Sequence, residues 1–182
     1  MNDSHPQAGD CATLVLDADK RMLHAVLHSA GHAIDHAVLE AVGKGVLKPS
    51  KGYHFADSPY VEYEGMLPDG LEKDAFIEKL NNSLDSLVAA DMKTQVQLVE
   101  KADNGRRANA ANAESLGAGQ GGEEGERANK RRAATRIVTI GSVACPCGGT
   151  HVNTSHQLNG LRVTRVKAKK GTLRVSYTLW GR

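Results

Sequence analysis

No run of apolar residues in this 182-residue chain approaches the roughly 18 needed to cross a bilayer, so a membrane helix is not expected. Met1 to Asp10 lacks the positive and apolar stretches of a secretory signal. No Arg precedes Arg21, which disfavours a mitochondrial presequence. Cysteine is scarce. Cys11, Cys145 and Cys147 are an odd number, and the last two stand too close for an easy bridge, which excludes a disulfide framework. A reducing, cytoplasmic setting is the expectation, and there clustered Cys and His more often mean metal. Acidic residues stop at Glu126: all 21 lie before position 127, whereas residues 127–182 carry 12 Lys+Arg. The first part is therefore net −10 and the last part net +12, which points to a polyanionic partner for the C-terminal part. The overall charge of +2 and the 40% hydrophobic content exclude disorder of the whole chain.

What is present reads as α+β. Residues 1–12 are polar and expected to be loose. From Arg21 to Val42, Leu23, Val26, Leu27, Ala30, Ile34, Ala37, Val38 and Ala41 recur at helical spacing, and Gly43, Gly45 and Pro49 stop the helix. Ser50–Ala56 and Pro59–Glu64 predict a hairpin. A second helix is expected from Leu71 to about Ala90, and a short strand over Thr94–Glu100. Asn104 to Ala134 is built from Ala, Gly, Asn, Glu and Arg; it has little to bury and reads as a mobile insertion. Arg136–Val143 is a β-branched strand, Cys145–His156 a polar loop, and Leu161–Ala168 with Thr172–Trp180 an antiparallel pair. Strands and helices do not alternate, so a largely antiparallel sheet is expected, with residues 13–182 forming a single domain around the insertion.

Four side chains carry the chemistry. His28 and His32 are one turn apart on a helix, so both imidazoles can converge on one ion. The alternative is a solvated stripe of His24, His28, His32 and His36. Cys147-Gly148-Gly149-Thr150-His151 sets a thiolate and an imidazole four positions apart, with glycines that let the backbone fold around an ion. Two His, a Cys and a third His are the ligand types zinc prefers, provided the fold brings them together. Cys145 is a further candidate, or a small buried residue. With Ser, Ala and Gly between the helical His residues there is no metalloprotease Glu, so a hydrolase built here would rely on zinc, activated water and backbone donors.

The string Ala144-Cys145-Pro146-Cys147-Gly148-Gly149-Thr150-His151-Val152, taken with His28-Ser29-Ala30-Gly31-His32, resembles the paired motifs of the editing domain of alanyl- and threonyl-tRNA synthetases. Its free-standing relatives are the AlaX proteins. The Lys51-Gly52-Tyr53 hairpin, the second helix and the basic terminal strands fall in family order, and the resemblance covers about residues 20–180. It implies a sheet wrapped around a long central helix. It also implies zinc-dependent hydrolysis of the ester joining serine or glycine to alanine tRNA. By position His28, His32, Cys147 and His151 would hold Zn2+. Ser29 would lie beside the amino-acid pocket, with Gly148, Gly149 and Thr150 as its catalytic neighbours. With no N-terminal barrel or synthetase core read in these residues, the resemblance implies the short class expected to act in trans; Gly31 and the insertion are the other departures from the family pattern.

An editing enzyme must hold the acceptor end of tRNA. Arg136, Arg162, Arg165, Lys167, Lys169, Lys170 and Arg174 are candidate phosphate contacts, or solvated strand residues that protect an edge. Arg127–Arg132 reads as a mobile basic arm, a nuclear-import patch or a solvated flank. A zinc-stabilised tRNA- or protein-binding module without activity is the alternative function.

Overall fold

Asp17 starts the first helix: its carboxylate accepts from the Lys20 N–H at 2.9 Å, satisfying one of the free donors at the helix N-terminus. The helix α1 runs Ala18–Val42 and ends where Gly43, at φ +84°, turns its N–H back to the Leu39 carbonyl. The computed structural model describes residues 8–9, 11–100 and 134–180. The expected loose N-terminus, the insertion and the Arg127–Arg132 cluster lie outside these residues for the most part.

Val26, Ala30, Ala33, Ile34 and Ala37 of α1 are completely buried. Their small size lets α2, Lys73–Ala89, pack closely through Phe76, Leu80, Leu84 and Leu87. Seven strands follow the chain as β1 (Lys48–Tyr53), β2 (Tyr60–Glu64), β3 (Gln95–Glu100), β4 (Ala134–Ile140), β5 (Val143–Pro146), β6 (Leu161–Lys169) and β7 (Thr172–Leu179). They form two antiparallel sheets, a four-stranded one in the order β1-β2-β7-β6 and a three-stranded one in the order β3-β4-β5. The fold is α+β, as expected, with the antiparallel pairing divided between two sheets. α1 touches strands of both, through β2 on one side and β4 and β5 on the other.

Register explains the inward faces. Val61 and Tyr63 of β2 oppose Val175 and Leu173 of β7, and Val166 of β6 opposes Val175. These positions are buried, and the alternate positions carry the charges. The edge strand β6 has a bulge between Val163 and Arg165. There Asn81 of α2 accepts from the Val163 N–H at 2.9 Å and donates to its carbonyl at 3.2 Å, covering backbone that an edge would leave open.

The expected loop over Cys145–His156 differs from the structure in two places. Val143–Pro146 is a strand paired with β4, because the Gly141-Ser142 turn folds the chain straight back. Ser155–Leu158 is a short 3-10 turn with Thr154 and Gln157 as a capping box. Ser155 pins this turn to α2: its hydroxyl donates to the Leu87 carbonyl and accepts from the Met92 N–H.

Gly160 sits at φ +84° with its carbonyl accepting from Trp180 N–H, and a Cβ there would run into the Trp180 carbonyl oxygen. That obstacle is backbone and cannot rotate away. Gly160→Ala is expected to cost about 2 kcal/mol or more, read as a lower urea midpoint with unchanged m. Gly171, also at positive φ but with open space around it, should lose only the conformational part on the same change.

Candidate metal centre

His28 and His32 leave the same side of α1, and β5 with its following loop delivers Cys147 and His151 to that side. The four candidate ligand atoms lie within 4.8 Å of one another. Cys147 Sγ is 3.6 Å from His28 Nε2 and 3.3 Å from His151 Nε2. Ligand atoms around tetrahedral zinc, at 2.0–2.3 Å from the ion, stand about 3.3–3.8 Å apart. The donor set and its spacing therefore fit a metal ion, and zinc is compatible with both. The solvated-stripe alternative fails for His28 and His32, which the fold turns toward Cys147 and His151.

Each of the three imidazoles is held from behind. The Thr150 backbone hydrogen-bonds the His28 ring, Cys145 Sγ lies 3.1 Å from His32 Nδ1, and Ser29 Oγ lies 3.1 Å from His151 Nδ1. This is the arrangement that fixes a ligand's ring orientation and tautomer. Burial, the largest cause, depresses the pKa of all three. His28 is lowered, His32 falls to about 3 with help from its imidazole neighbours, and His151 falls to about 4. All three stay neutral at pH 7, with lone pairs available. Burial, the charge of Cys147 and Asp35 push the Cys145 thiol up to about 12, so it stays protonated and acts through His32.

Three expected roles fall differently in the structure. Ser29 is completely buried and is not among the residues lining the cleft, because position 29 faces the interior side of α1. Its hydroxyl accepts from the Val152 N–H at 3.0 Å and positions His151, rather than meeting an amino-acid side chain. Arg136 does not reach outward from its strand. Its guanidinium donates to the carbonyls of Cys147 (2.7 Å) and Gly149 (3.0 Å), tying down the ligand loop. Among the loop residues, the Gly149 N–H is directed at Cys147 Sγ, and Gly148 and Thr150 are exposed. Gly149 must be bare, since a Cβ would overlap the His28 ring.

Of the other basic candidates, Arg162 pairs with Asp85, and Arg174 pairs with Glu62 while lying 4.1 Å over the Tyr60 ring. Arg165, Lys167, Lys169 and Lys170 are exposed at the β6–β7 end of the sheet. Register puts Arg165, Lys167 and Lys169 on one face of β6, with Lys167 opposite Arg174.

A cleft of about 450 Å³ opens at the cluster, lined by His28, His32, Cys147 and three residues the sequence reading did not place there: His54, Asp35 and Lys51. A second cavity of about 330 Å³ adjoins it, and Asp35 faces both. The signal for His54 was its position between two stretches that leave it room, Gly31 on α1 and Gly52 on β1; a Cβ on either would strike its ring. No protein-family model and no curated protein matches this chain. Among the described residues no helix is long and apolar enough to cross a membrane.

Asp35 offers a test of the cleft's dryness. Its carboxyl is pushed up to about 6, chiefly by burial, although Tyr63 O–H donates to it at 2.6 Å. A folded-state pKa above the unfolded value means that the folded protein holds the proton more tightly. The group's favourable contribution is then present below pH 4 and lost as pH rises through 6. In metal-free protein, Asp35→Asn should therefore gain stability relative to the wild type with rising pH. The expected gain is about 1–2 kcal/mol at pH 8 after allowing for partial solvent access, and none at pH 4. Thermal midpoints of both proteins across that range check it; a difference independent of pH would refute it.

Proposed function

We propose that this chain is a zinc-dependent editing hydrolase of the AlaX type, which removes serine or glycine from mischarged alanine tRNA. The observation that carries the reading is the convergence of His28 and His32 with Cys147, 119 residues beyond His28, and with His151, beside a cleft that His28, His32 and Cys147 line. The α+β architecture, with α1 touching both antiparallel sheets, is consistent with the family's wrapped helix.

His28, His32, Cys147 and His151 would hold the ion. Zinc bound there would polarise the ester carbonyl and activate water. The protein's own residues set the geometry around it. Ser29, Cys145 and the Thr150 carbonyl orient the imidazoles. Arg136 holds the loop carbonyls, which keeps Cys147 and Gly149 in place. The exposed row Arg165, Lys167 and Lys169, with Lys170 and the cleft-lining Lys51, supplies phosphate contacts that position the RNA without reading its sequence.

Incubating the purified protein with Ser-, Gly- and Ala-charged alanine tRNA tests the proposal. Serine or glycine should be released faster than in the absence of protein, alanine should be spared, and chelation should abolish the release. Zinc binding and tRNA binding without release would identify the non-catalytic module instead.

A further inference from the structure

Tyr177 is buried, and its phenol has one hydrogen. That hydrogen goes to the Leu27 carbonyl inside α1, at 2.9 Å. His54 Nδ1 lies 2.7 Å from the same phenol oxygen. Two groups cannot share one hydrogen, so Nδ1 carries its own and donates it to Tyr177. The ring is then neutral with a lone pair on Nε2. Among the described residues no protein donor satisfies Nε2, and the ring lines the cleft with its centroid 5.4 Å from that of His28. Gly31 and Gly52 leave the ring just enough room to lie there. The tautomer is thus set by a residue 123 positions away, and it leaves an acceptor facing the cleft.

Asp35 is the only carboxylate among the described residues lining that cleft. The hydroxyl of completely buried Tyr63 holds it in place. Two acceptors beside a metal centre suit a small cationic donor one or two bonds from the scissile carbonyl, and an α-ammonium group is such a donor. A hydroxyl in the same place has one hydrogen and no charge, and an acylated amine has no charge.

We propose that His54 Nε2 and the Asp35 carboxylate form the recognition edge for the protonated α-amino group of the substrate, so that the cleft selects α-amino esters over hydroxy-acid and N-acylated esters. This rests on the aminoacyl-ester hydrolase reading and names what part of the substrate the site identifies. Tyr177 and Tyr63 act as positioning residues: one locks the tautomer and the other aims the carboxylate.

The experiment has a spectroscopic arm and a binding arm, neither of which requires turnover. Long-range 1H–15N spectra of 15N-histidine-labelled full-length protein should show His54 protonated at Nδ1 at pH 7. In Tyr177→Phe, which offers no acceptor, population should move to the Nε2–H form. Serinamide, added to metal-free and to zinc-loaded protein, should shift the His54 Nε2 resonance, and N-acetylserinamide should not. His54→Ala and Asp35→Asn should each weaken serinamide binding by roughly tenfold, the scale of a lost hydrogen bond to a charged group. His54→Gln should raise KM for seryl-tRNA more than it lowers kcat, and should narrow the preference for seryl- over N-acetylseryl-tRNA. Nε2–H as the main tautomer in the wild type, or equal binding of the two amides, would overturn the proposal. Serinamide binding without hydrolysis of any charged tRNA would sink the hydrolase reading while upholding the acceptor edge.

Discussion

Cys147→Ala should lower zinc affinity by more than about a hundredfold while leaving the metal-free fold intact. The thiolate is the common neighbour of His28 and His151, at 3.6 and 3.3 Å, and its removal leaves three imidazoles with no charged ligand. Losing an outer partner of a ligand typically costs roughly 10–100-fold, so losing the ligand itself should exceed that. Cys145→Ala provides the contrast. Cys145 touches His32 at Nδ1 and stands outside the group of four, so its loss should cost about tenfold. Competition with a chromophoric chelator measures both. Equal losses for the two cysteines would mean that the metal is held by a different set. Loss of the fold together with zinc in Cys147→Ala would make the site structural.

Gly149→Ala should impair zinc binding almost as severely through a single methyl group. The added Cβ would sit 2.5 Å from His28 Nδ1 and overlap the adjacent ring carbon, so the imidazole must swing away from Cys147. Swinging also breaks its hydrogen bond with the Thr150 backbone. A side chain can rotate where a backbone cannot, so metal-free stability should change by less than about 1 kcal/mol while affinity falls about a hundredfold. Gly148→Ala, one residue earlier, meets no atom within 4 Å and should bind zinc as the wild type does. Titration of both variants, with thermal unfolding of the metal-free forms, separates a steric effect on the ligand from general damage to the loop.

Periodicity was enough for both helices and for the β6–β7 hairpin, because one face of each is apolar and the other polar. The β1–β2 hairpin was legible from its aromatic strand formers and turn residues; β1 itself, Lys48–Tyr53, is exposed along nearly its whole length and begins two residues before the expected Ser50. β5 escaped periodicity: the four residues Val143–Pro146, with one cysteine and a proline, show no alternation, and only the tight Gly141-Ser142 turn makes them pair. The four candidate ligands were visible because side chains that bind metals are chemically distinctive at short spacing. The groups that orient them were not. Ser29, Arg136 and Tyr177 act across 122, 11–13 and 123 positions, and nothing local marks an Arg on a strand as facing a carbonyl rather than solvent. His54 was hidden for the same reason: its role depends on two absent side chains, at Gly31 and Gly52, and on one distant phenol. The charge boundary at Glu126 crosses one constellation rather than separating two. Lys51 belongs to the acidic part of the chain, yet it lines the cleft.

The β3–β4 ladder ends with Glu100 opposite Ala134. The chain thus leaves that ladder and re-enters it at the same rung, and residues 101–133 are topologically a detour. The entropy of closing a connection grows only with the logarithm of its length. Between a detour of this size and a four-residue turn the difference is about 2 kcal/mol. All four candidate ligands lie outside it. Of the 115 positions that separate His32 from Cys147, 33 belong to this connection. A search for other proteins built this way should allow any interval between the two motifs, and should ask instead for a ladder that closes on itself between them.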